Sequence, residues 1–550
     1  MAHEGKPVEA NSIAVFEQPH AQPEIDKPQD ECGVFAMSAP DDFPAGAVAW
    51  KAGVLQEHRG HSGSGMAFIN PDTSKVVLAK GLGRLSEAIP GMMPINGMTP
   101  ADSVKARKIM VQNRYSTAPS NRVEGSQPFL RDKLTIAMNG HLDNDPVKGI
   151  DALALQCEID PNSAETDSDL LAMIMSKSLR EAEKRAGGEL STSQLGREMS
   201  SVLAKVNGSY CLTMFYDGKT IGARDPWGVH PLSLGTFPGG KRGVIASETV
   251  ALKPIQEIMP LESVRDFKAG ELVIIDDDEG IKSYRIPRKP ISLQCIFEQV
   301  YTSAEESVVN GSHVRTARYN MGKFLAEVDP VDDADMVIGV PSTGLPMAEG
   351  YSEVSGLPKV DAITKQPNAP RTFHLRGEER KKALKEKFII DSEAIKGKSI
   401  VVVDDSTIKG NTARQLIQQL RDAGASEVHF RFASPPYISP CNLGMDTSDI
   451  NELVARGRSN QEIAKELGAD SVAYNTFEAI VDSIDDARVN TLEAIVDSID
   501  DARVNTLVES AAGKLCKACT AGEYALIVPA QVTEERRLEA ARSAGRLVSI

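Results

Sequence analysis

Two adjacent carboxylates close an unbroken apolar run in the stretch SIVVVDDSTIKGNTARQLIQQL, residues 399–420. Like charges in contact repel each other, so Asp404 and Asp405 need a cation or a polyhydroxyl ligand to hold. In an open α/β sheet, ligands bind beyond the carboxyl ends of the strands, which is where this pair stands. The pair therefore predicts a ligand site at the end of a strand.

The loop STIKGNT and the helical pattern that follows it suit a phosphate group. Gly410 allows a tight turn, Ser406 and Thr412 offer hydroxyls, and a helix N-terminus presents unpaired N–H groups. Two carboxylates beside such a cradle indicate a phosphorylated sugar that is held together with Mg²⁺. The alternative is a strand, a loop and a helix with a charged lip and no ligand.

A second candidate for chemistry is Cys32, in DECGVFAM at the head of the first strand pattern. A cysteine in a buried strand is ordinarily a small hydrophobic residue. If residues 1–31 are a propeptide, their removal makes Cys32 the N-terminus, and its α-amino group, with a pKa of about 8, could take the thiol proton. From the residues alone, both interpretations stay open.

The apolar segments between Cys32 and Asp276 are short and bounded by Gly, Asp and Asn, a pattern typical of stacked antiparallel sheets with flanking helices. Residues 167–186 predict a helix capped by Asp167 or Ser168. The stretch DDDEGIKSYRIPRKP, residues 276–290, reads as a linker.

Beyond that stretch, DMVIGVP and SIVVVDD are typical of strands buried on both faces of a parallel sheet. Near the end of the chain EAIVDSIDDARVNTL occurs twice in tandem, at 478–492 and 493–507, which we interpret as a local duplication. The predicted organisation is a disordered propeptide at 1–31, a first domain at 32–275, an α/β domain at 290–475 and a C-terminal tail at 476–550.

The bulk composition excludes some classes of protein. The 550 residues are 41% hydrophobic and too many for one core. A formal net charge of −16 argues against binding to nucleic acid. The sequence contains no run of about 18 apolar residues, so no membrane span is predicted. The acidic N-terminus does not suit a transit peptide. Seven cysteines in so long a chain favour a reducing, cytoplasmic setting over a disulfide framework.

Several motifs together carry a resemblance to a known family. They are VVVDDSTIKGNT, CIFEQVYTSAEES, VIGVPSTGLPMAEGYSEVSGLP, RTFH and EVHFRFASPPYISPCNLGMDTS. They resemble the glutamine amidophosphoribosyltransferases of purine biosynthesis, from about residue 31 to the C-terminus except for the tandem repeat. The resemblance is to members with a propeptide and an iron–sulfur cluster. It implies an αββα N-terminal-nucleophile domain followed by a type I phosphoribosyltransferase domain with a parallel sheet.

The resemblance implies a reaction in two half-reactions. Glutamine is hydrolysed to glutamate, and its ammonia converts phosphoribosyl pyrophosphate (PRPP) to 5-phosphoribosylamine and pyrophosphate, the first committed step of purine (IMP) biosynthesis. Two alternatives are kept: a divergent paralogue that only binds PRPP or nucleotides as a regulator, and a glutaminase that feeds ammonia to another acceptor.

In the glutamine half, the resemblance makes Cys32 the nucleophile and assigns the oxyanion to Asn139 and Gly140. Arg114 would hold the α-carboxylate of glutamine, and Asp167 its α-ammonium group. Taken singly, Arg114 reads as a surface ion pair, Asp167 as a helix cap and Asn139-Gly140 as a hairpin turn. The stretch MVQNRY departs from the family, in which a Gly-His pair is usual.

In the PRPP half, the resemblance assigns Asp404 and Asp405 to the ribose hydroxyls of PRPP. It assigns one Mg²⁺ per subunit to Thr343, Asp404 and Asp405. Lys365 and Arg371 would face the pyrophosphate from a closing loop. The remaining PRPP ligands implied by the motif are Ser406, Thr407, Lys409, Gly410, Asn411 and Thr412. This half departs from the family at Ser342, where an acid is common, at Lys409, where arginine is frequent, and around RTF.

A C-x-x-C motif near the end of the chain could, taken alone, bind zinc, be redox-active or be accidental. Cys516 and Cys519 form a C-x-x-C motif, and with Cys295 and Cys441 they match the four ligands of a [4Fe–4S] cluster in the family. Zinc is the alternative occupant. The resemblance further implies purine nucleotides as feedback inhibitors and a homotetramer or homodimer.

Overall fold

The computed structural model describes residues 13–16, 32–89, 106–115, 122–145, 147–290, 293–365, 388–441, 443–444, 450–485, 515–516 and 518–521. The described residues up to Pro290 form one compact unit, and those from residue 293 onward form a second. Within these ranges no helix is both long and apolar enough to cross a membrane.

The first unit is built of strands and helices in four layers. Its strands are β1 (Ile13–Phe16), β2 (Gly33–Ser38), β3 (Gly63–Ile69), β4 (Val76–Leu82), β5 (Lys108–Arg114), β6 (Phe129–Arg131), β7 (Leu134–Leu142), β8 (Gly208–Tyr216), β9 (Lys219–Arg224), β10 (Ser233–Thr236), β11 (Gly243–Ala246), β12 (Ser263–Asp266), β13 (Glu271–Asp276) and β14 (Gly280–Arg285). Its helices are α1 (Ala45–Val54), α2 (Leu85–Ala88), α3 (Ile150–Gln156), α4 (Asp167–Ala186), α5 (Thr192–Leu203) and α6 (Lys253–Gln256).

The strands form two sheets that pack face to face. One has the order β1-β4-β3-β5-β2-β11-β10-β12 and the other β14-β13-β9-β8-β7-β6. Along β2, Val34 and Ala36 belong to a core shared by both sheets, whereas Phe35 and Met37 pack with α1. A third core lies between the second sheet and helices α4 and α5. The alternation of side chains along each strand thus produces the order helix, sheet, sheet, helix.

Two expectations about the edges of this unit were wrong. Residues 276–290, read as a linker, instead contain β14, which pairs antiparallel with β13 from Glu271↔Arg285 to Asp276↔Gly280. The polar turn that suggested a linker closes this hairpin. The expectation of disorder at residues 1–31 is contradicted at Ile13–Phe16, which pair in parallel with β4, and the rest of that stretch lies outside the described residues.

The second unit is an α/β domain. Its strands are β15 (Gln294–Cys295), β16 (Val308–Val309), β17 (Ser312–His313), β18 (Met336–Gly339), β19 (Ile363–Lys365), β20 (Phe388–Ile390), β21 (Ser399–Asp404), β22 (Glu427–Phe432), β23 (Ser471–Tyr474) and β24 (Leu515–Cys516). Its helices are α7 (Val314–Val328), α8 (Gly344–Ser355), α9 (Ser392–Ile395), α10 (Asn411–Asp422), α11 (Asn460–Leu467) and α12 (Ala518–Ala521), and Glu298–Thr302 form a π-helical turn.

The central sheet has the order β18-β21-β22-β23, and all its pairs are parallel. Both of its faces are covered, since Val401 and Val403 pack in one core and Ile400 and Val402 in the other. The unbroken apolar runs of the sequence reflect this double burial.

Of the tandem repeat, the described part is 478–485 of the first copy. It is helical and buries Ile480 and Ile484 in the core of the second unit. The second copy lies outside the described residues, and so does most of the tail predicted at 476–550.

Candidate active sites

The first unit brings Cys32, Arg114 and Asp167 close together. Cys32 directly precedes β2 and is 8% exposed, and Arg114 ends the neighbouring strand β5. Burial lowers the pKa of the Arg114 guanidinium, and the charges of Cys32 and Asp167 oppose that shift. The Nη1 atom of Arg114 has no hydrogen-bond partner among the described residues. A buried cation with an unfilled donor beside a thiol can bind a carboxylate.

Asp167 is the first residue of α4 but does not cap the helix as predicted. The cap is Thr166, whose hydroxyl accepts from the backbone N–H of Asp169. The Asp167 carboxylate instead accepts from the N–H of Leu142 at 3.0 Å, which ties the start of α4 to the end of β7. Its second role, binding an ammonium group, stays a prediction.

Asn139 and Gly140 lie inside β7 and not in a hairpin turn. They pair with Cys211 and Tyr210 of β8. Gly140 has a φ of 140°, and a Cβ there would lie 2.2 Å from the carbonyl oxygen of Ser209, so only glycine fits. Asn139 is 1% exposed, and its Nδ2 has no partner among the described residues. An unpaired buried donor of this kind can stabilise an oxyanion.

The sequence did not reveal a buried ion pair behind Cys32. The side chains of Arg59 and Glu248 are 0% exposed and are joined by a contact of 2.5 Å between Nη1 and Oε1. Nε of Arg59 donates to the carbonyl oxygen of Cys32 at 3.4 Å, and His58 contacts the same glutamate at 2.8 Å. The only signal was the HR pair in HRGHSGSG, since the glutamate lies 189 positions away.

The same unit buries a lysine on β4. Desolvation lowers the pKa of Lys80 to about 8, although the charge of Asp169 opposes the shift. The ammonium lies 4.5 Å from the ring centroid of Phe129. In the unfolded chain the pKa returns to about 10.5. The buried charge therefore lowers the free energy of unfolding below pH 8. This destabilisation disappears as the pH rises from 8 to 10.5.

We expect Lys80→Met to stabilise the first unit at pH 7 by about 3 kcal/mol, and this gain to shrink steadily above pH 8. Urea unfolding followed by tryptophan fluorescence measures it, because Trp50 and Trp227, the two tryptophans of the chain, both lie in this unit. Lys75→Met, at an exposed position next to the same strand, should show no such trend. A gain for Lys80→Met that does not change with pH would contradict the assignment.

In the second unit, the predicted carboxylate pair stands at the carboxyl end of β21. Asp404 is 2% exposed and Asp405 0%. Both oxygens of Asp405 accept hydroxyl groups: Ser406 donates to one at 2.8 Å, and Thr343 donates to the other. Thr343 precedes α8, which follows the adjacent strand β18. The structure thus brings together the three residues that the sequence assigned to Mg²⁺, and their oxygen atoms suit that ion.

The loop after the pair leads into α10. Gly410 caps this helix with a φ of 78°. Ser406 and Thr407 are almost fully buried, and Asn411 accepts from Arg414 at 3.1 Å. The ammonium of Lys409 forms an ion pair with Glu452. A phosphate in the loop would compete with that glutamate for the lysine.

We expect Gly410→Ala to destabilise the second unit by roughly 2–4 kcal/mol. Its φ is unfavourable for alanine, and the new Cβ would lie 2.7 Å from Cδ2 of Leu467. The matched control is Gly397→Ala, with a φ of 71° and no atom within 4 Å of the new Cβ. Thermal unfolding followed by circular dichroism should show the larger loss of stability for Gly410→Ala. Equal losses would contradict the steric argument.

Of the two predicted pyrophosphate ligands, only Lys365 lies within the described residues. Lys365 ends β19 and donates to the hydroxyl of Ser342 at 3.3 Å, which places it at the loop that carries Thr343. Arg371 lies outside the described residues.

The four cysteines assigned to a cluster also converge. Cys295 and Cys516 are Cα partners in a parallel pair, and the carbonyl oxygen of Cys519 accepts from Ile438 and Ser439. Burial raises the pKa of the Cys519 thiol, and the charges of Cys441 and Cys516 raise it further. No group of three or more His, Cys, Asp or Glu side chains among the described residues is already arranged to hold a metal ion.

Comparison with known proteins agrees with this geometry. A family model described as a glutamine amidotransferase domain matches residues 112–254. The amidophosphoribosyltransferase of Synechococcus elongatus is 32% identical over 519 residues, covering 93% of this chain and 94% of its own. That of Mycobacterium tuberculosis is 33% identical over 547 residues, covering 95% and 93%.

Two solved structures match along most of the chain. One is a glutamine PRPP amidotransferase from B. subtilis in complex with ADP and GMP, 30% identical, with a TM-score of 0.69, covering 90% of this chain and 97% of its own. The other, described as the allosteric regulatory enzyme of purine biosynthesis, is also 30% identical, with a TM-score of 0.70 and coverages of 91% and 99%. The predicted fold class, an N-terminal-nucleophile domain followed by a phosphoribosyltransferase domain, is confirmed. The chain belongs to the amidophosphoribosyltransferase family.

Proposed function

We propose that the chain transfers ammonia from glutamine to PRPP and yields 5-phosphoribosylamine, glutamate and pyrophosphate, the first committed step of purine biosynthesis. The observation that carries the proposal is that Cys32, directly before β2, and Asp167 both lie close enough to Arg114, at the end of β5, for their charges to interact with its guanidinium. A nucleophile beside a carboxylate-binding cation and a carboxylate is what an amino-acid amide requires.

In the glutamine half-reaction, Sγ of Cys32 attacks the side-chain carbonyl carbon while Arg114 and Asp167 hold the amino-acid head group. Asn139 and the N–H of Gly140 stabilise the oxyanion. The C–N bond breaks, ammonia leaves and a thioester remains, which water hydrolyses to glutamate. The base is the α-amino group of Cys32, made available by removal of residues 1–31 as a propeptide.

In the PRPP half-reaction, the nitrogen of ammonia attacks C1 of the ribose, the bond to pyrophosphate breaks and the new ammonium loses a proton. Asp404 and Asp405 bind the ribose hydroxyls, and Ser406 to Thr412 bind the 5′-phosphate. Thr343, Asp404 and Asp405 would hold one Mg²⁺, which neutralises negative charge on the leaving pyrophosphate. Lys365 and Arg371 would bind the same pyrophosphate.

Cys295, Cys441, Cys516 and Cys519 would hold a [4Fe–4S] cluster, with zinc as the alternative. The four thiols are suitable ligands, and Cys519 is buried near Cys441 and Cys516. In addition, the backbone N–H of Leu443 donates to Sγ of Cys441 at 3.3 Å. The cluster would fix the segment around Cys516 to the second unit.

Feedback by purine nucleotides is part of the proposal and is supported by the ADP and GMP bound to the B. subtilis relative. A homotetramer or homodimer and a cytoplasmic location complete it. All seven cysteines carry thiols rather than disulfides, which suits that location.

The test is an assay of the purified protein with glutamine, PRPP and Mg²⁺. We expect pyrophosphate and glutamate to form in equal amounts when both substrates are saturating. Glutamate without pyrophosphate would favour a glutaminase with another acceptor, and binding of PRPP with neither product would favour a regulator. The native mass reports both loss of residues 1–31 and a bound cluster.

A further inference from the structure

Gln112 is a fully buried carboxamide that has no hydrogen-bond partner among the described residues. Its side chain is 0% exposed, and neither Oε1 nor Nε2 is paired within the described part of the chain. Buried amides are almost always satisfied, because leaving one unpaired forfeits its hydration without compensation. A residue that bears this cost needs an explanation.

The position of Gln112 on β5 shows which way it faces. Side chains alternate along the strand, so Val111 packs in the core with α1, whereas Met110 belongs to the core between the two sheets. Gln112 therefore faces the space between the sheets. So does Arg114, two residues further along the same strand.

The pairing with β2 places Gln112 next to the nucleophile. Its cross-strand partner is Val34, two residues after Cys32. Diagonal neighbours on one face of an antiparallel pair lie about 7–8 Å apart, within reach of a long side chain. The carboxamide of Gln112 thus lies between the sheets beside the thiol of Cys32, displaced from it by two residues along the strand.

Three buried polar groups that face the space between the sheets have no partner in the described part of the chain: the carboxamide of Gln112, Nη1 of Arg114 and Nδ2 of Asn139. The last comes from β7 of the second sheet. A molecule that satisfies them offers a carboxylate to the guanidinium, a carbonyl oxygen to the asparagine and an N–H donor to the glutamine. Such a molecule is an amino acid with a side-chain amide.

We propose that Gln112 is a specificity-determining residue that recognises the carboxamide of the substrate glutamine. Its Oε1 accepts a hydrogen bond from the –NH₂ group that leaves as ammonia. The –NH₂ group of the substrate thus satisfies a buried acceptor that an apolar side chain at this position would not offer. The inference rests on the proposed glutaminase activity of the first unit.

The test is Gln112→Leu, which keeps the bulk of the side chain and removes both unpaired atoms. We expect kcat/KM for glutamine to fall by about 10- to 100-fold. Transfer from added ammonia should stay within about twofold, since it bypasses the site. The Tm of the first unit should be equal or higher, because an apolar group of similar shape replaces an unsatisfied one.

A second measurement separates recognition from damage to the pocket. The reagent 6-diazo-5-oxo-L-norleucine keeps the amino-acid head group and the carbonyl of glutamine but lacks its amide N–H. Its rate of alkylation of Cys32 should be within about threefold of wild type in Gln112→Leu. The matched control is Thr220→Val on β9, which removes another fully buried unpaired group and should change neither rate.

Two outcomes overturn the assignment: glutamine use that is unchanged in Gln112→Leu, or alkylation that falls as far as glutamine use. If the wild-type protein itself releases no glutamate from glutamine, the proposed function fails instead.

Discussion

Replacing Cys32 with alanine will abolish glutamine-dependent formation of phosphoribosylamine, by about 10⁴-fold or more, and leave ammonia-dependent formation within about twofold of wild type. The thiol is the one group in the proposal that forms a bond to the glutamine carbon, so no neighbour can replace it. Added ammonia bypasses that step and needs only the PRPP site of the second unit. Pyrophosphate release with glutamine or with ammonium at pH 8.5 measures the two activities.

The matched control is Cys211→Ala. Cys211 is a second fully buried thiol of the same unit, on β8, in the core between the two sheets. Its loss costs packing but no nucleophile, so both activities should persist. Loss of ammonia-dependent transfer in Cys32→Ala would contradict the division of labour between the two units.

The part of the structure that the sequence could predict is the part that depends on local pattern. The runs around Val337 and Val401 are apolar on both faces, and they are adjacent parallel strands in the central sheet. Since parallel strands present their carboxyl ends at one edge, the positions of Asp404 and Asp405 followed from the pattern. The contact of Asp405 with Thr343 was implied by the family motif, not by the spacing of the residues.

The rest depends on pairings that are distant in the sequence. Asn-Gly is the strongest short signal for a hairpin turn, yet Asn139 and Gly140 lie within a strand, because their partners Cys211 and Tyr210 complete the ladder. The acidic residues at 276–279 suggested a linker from their composition. They form the turn of a hairpin, which becomes visible only in the pairing of β13 with β14. The unpaired state of Gln112 could not be read from the sequence either, since it depends on what the opposing sheet fails to offer.

Replacing Asp405 with asparagine will lower transfer to PRPP by about 10²- to 10³-fold, whether glutamine or ammonia supplies the nitrogen. The amide is nearly isosteric, and the hydroxyls of Ser406 and Thr343 can turn to accept as well as donate, so the fold should persist. What is lost is the charge to which we assign the ribose hydroxyls and Mg²⁺ in the proposed function.

The measurement for Asp405→Asn is pyrophosphate release with each nitrogen source, with basal glutamine hydrolysis assayed separately without PRPP. The basal rate should stay within about twofold of wild type, because the residue belongs to the second unit. Asp422→Asn is the matched control: it removes a carboxylate from the far end of α10, the helix that follows the loop after Asp405. There Asp422 accepts only from Gln418 at 2.8 Å among the described hydrogen bonds, so the change should leave transfer intact. Unchanged transfer in Asp405→Asn would contradict the assignment of PRPP to the carboxylate pair. Hydroxyl groups of the ribose that donate to the Asp405 carboxylate would bind more weakly once its charge is removed.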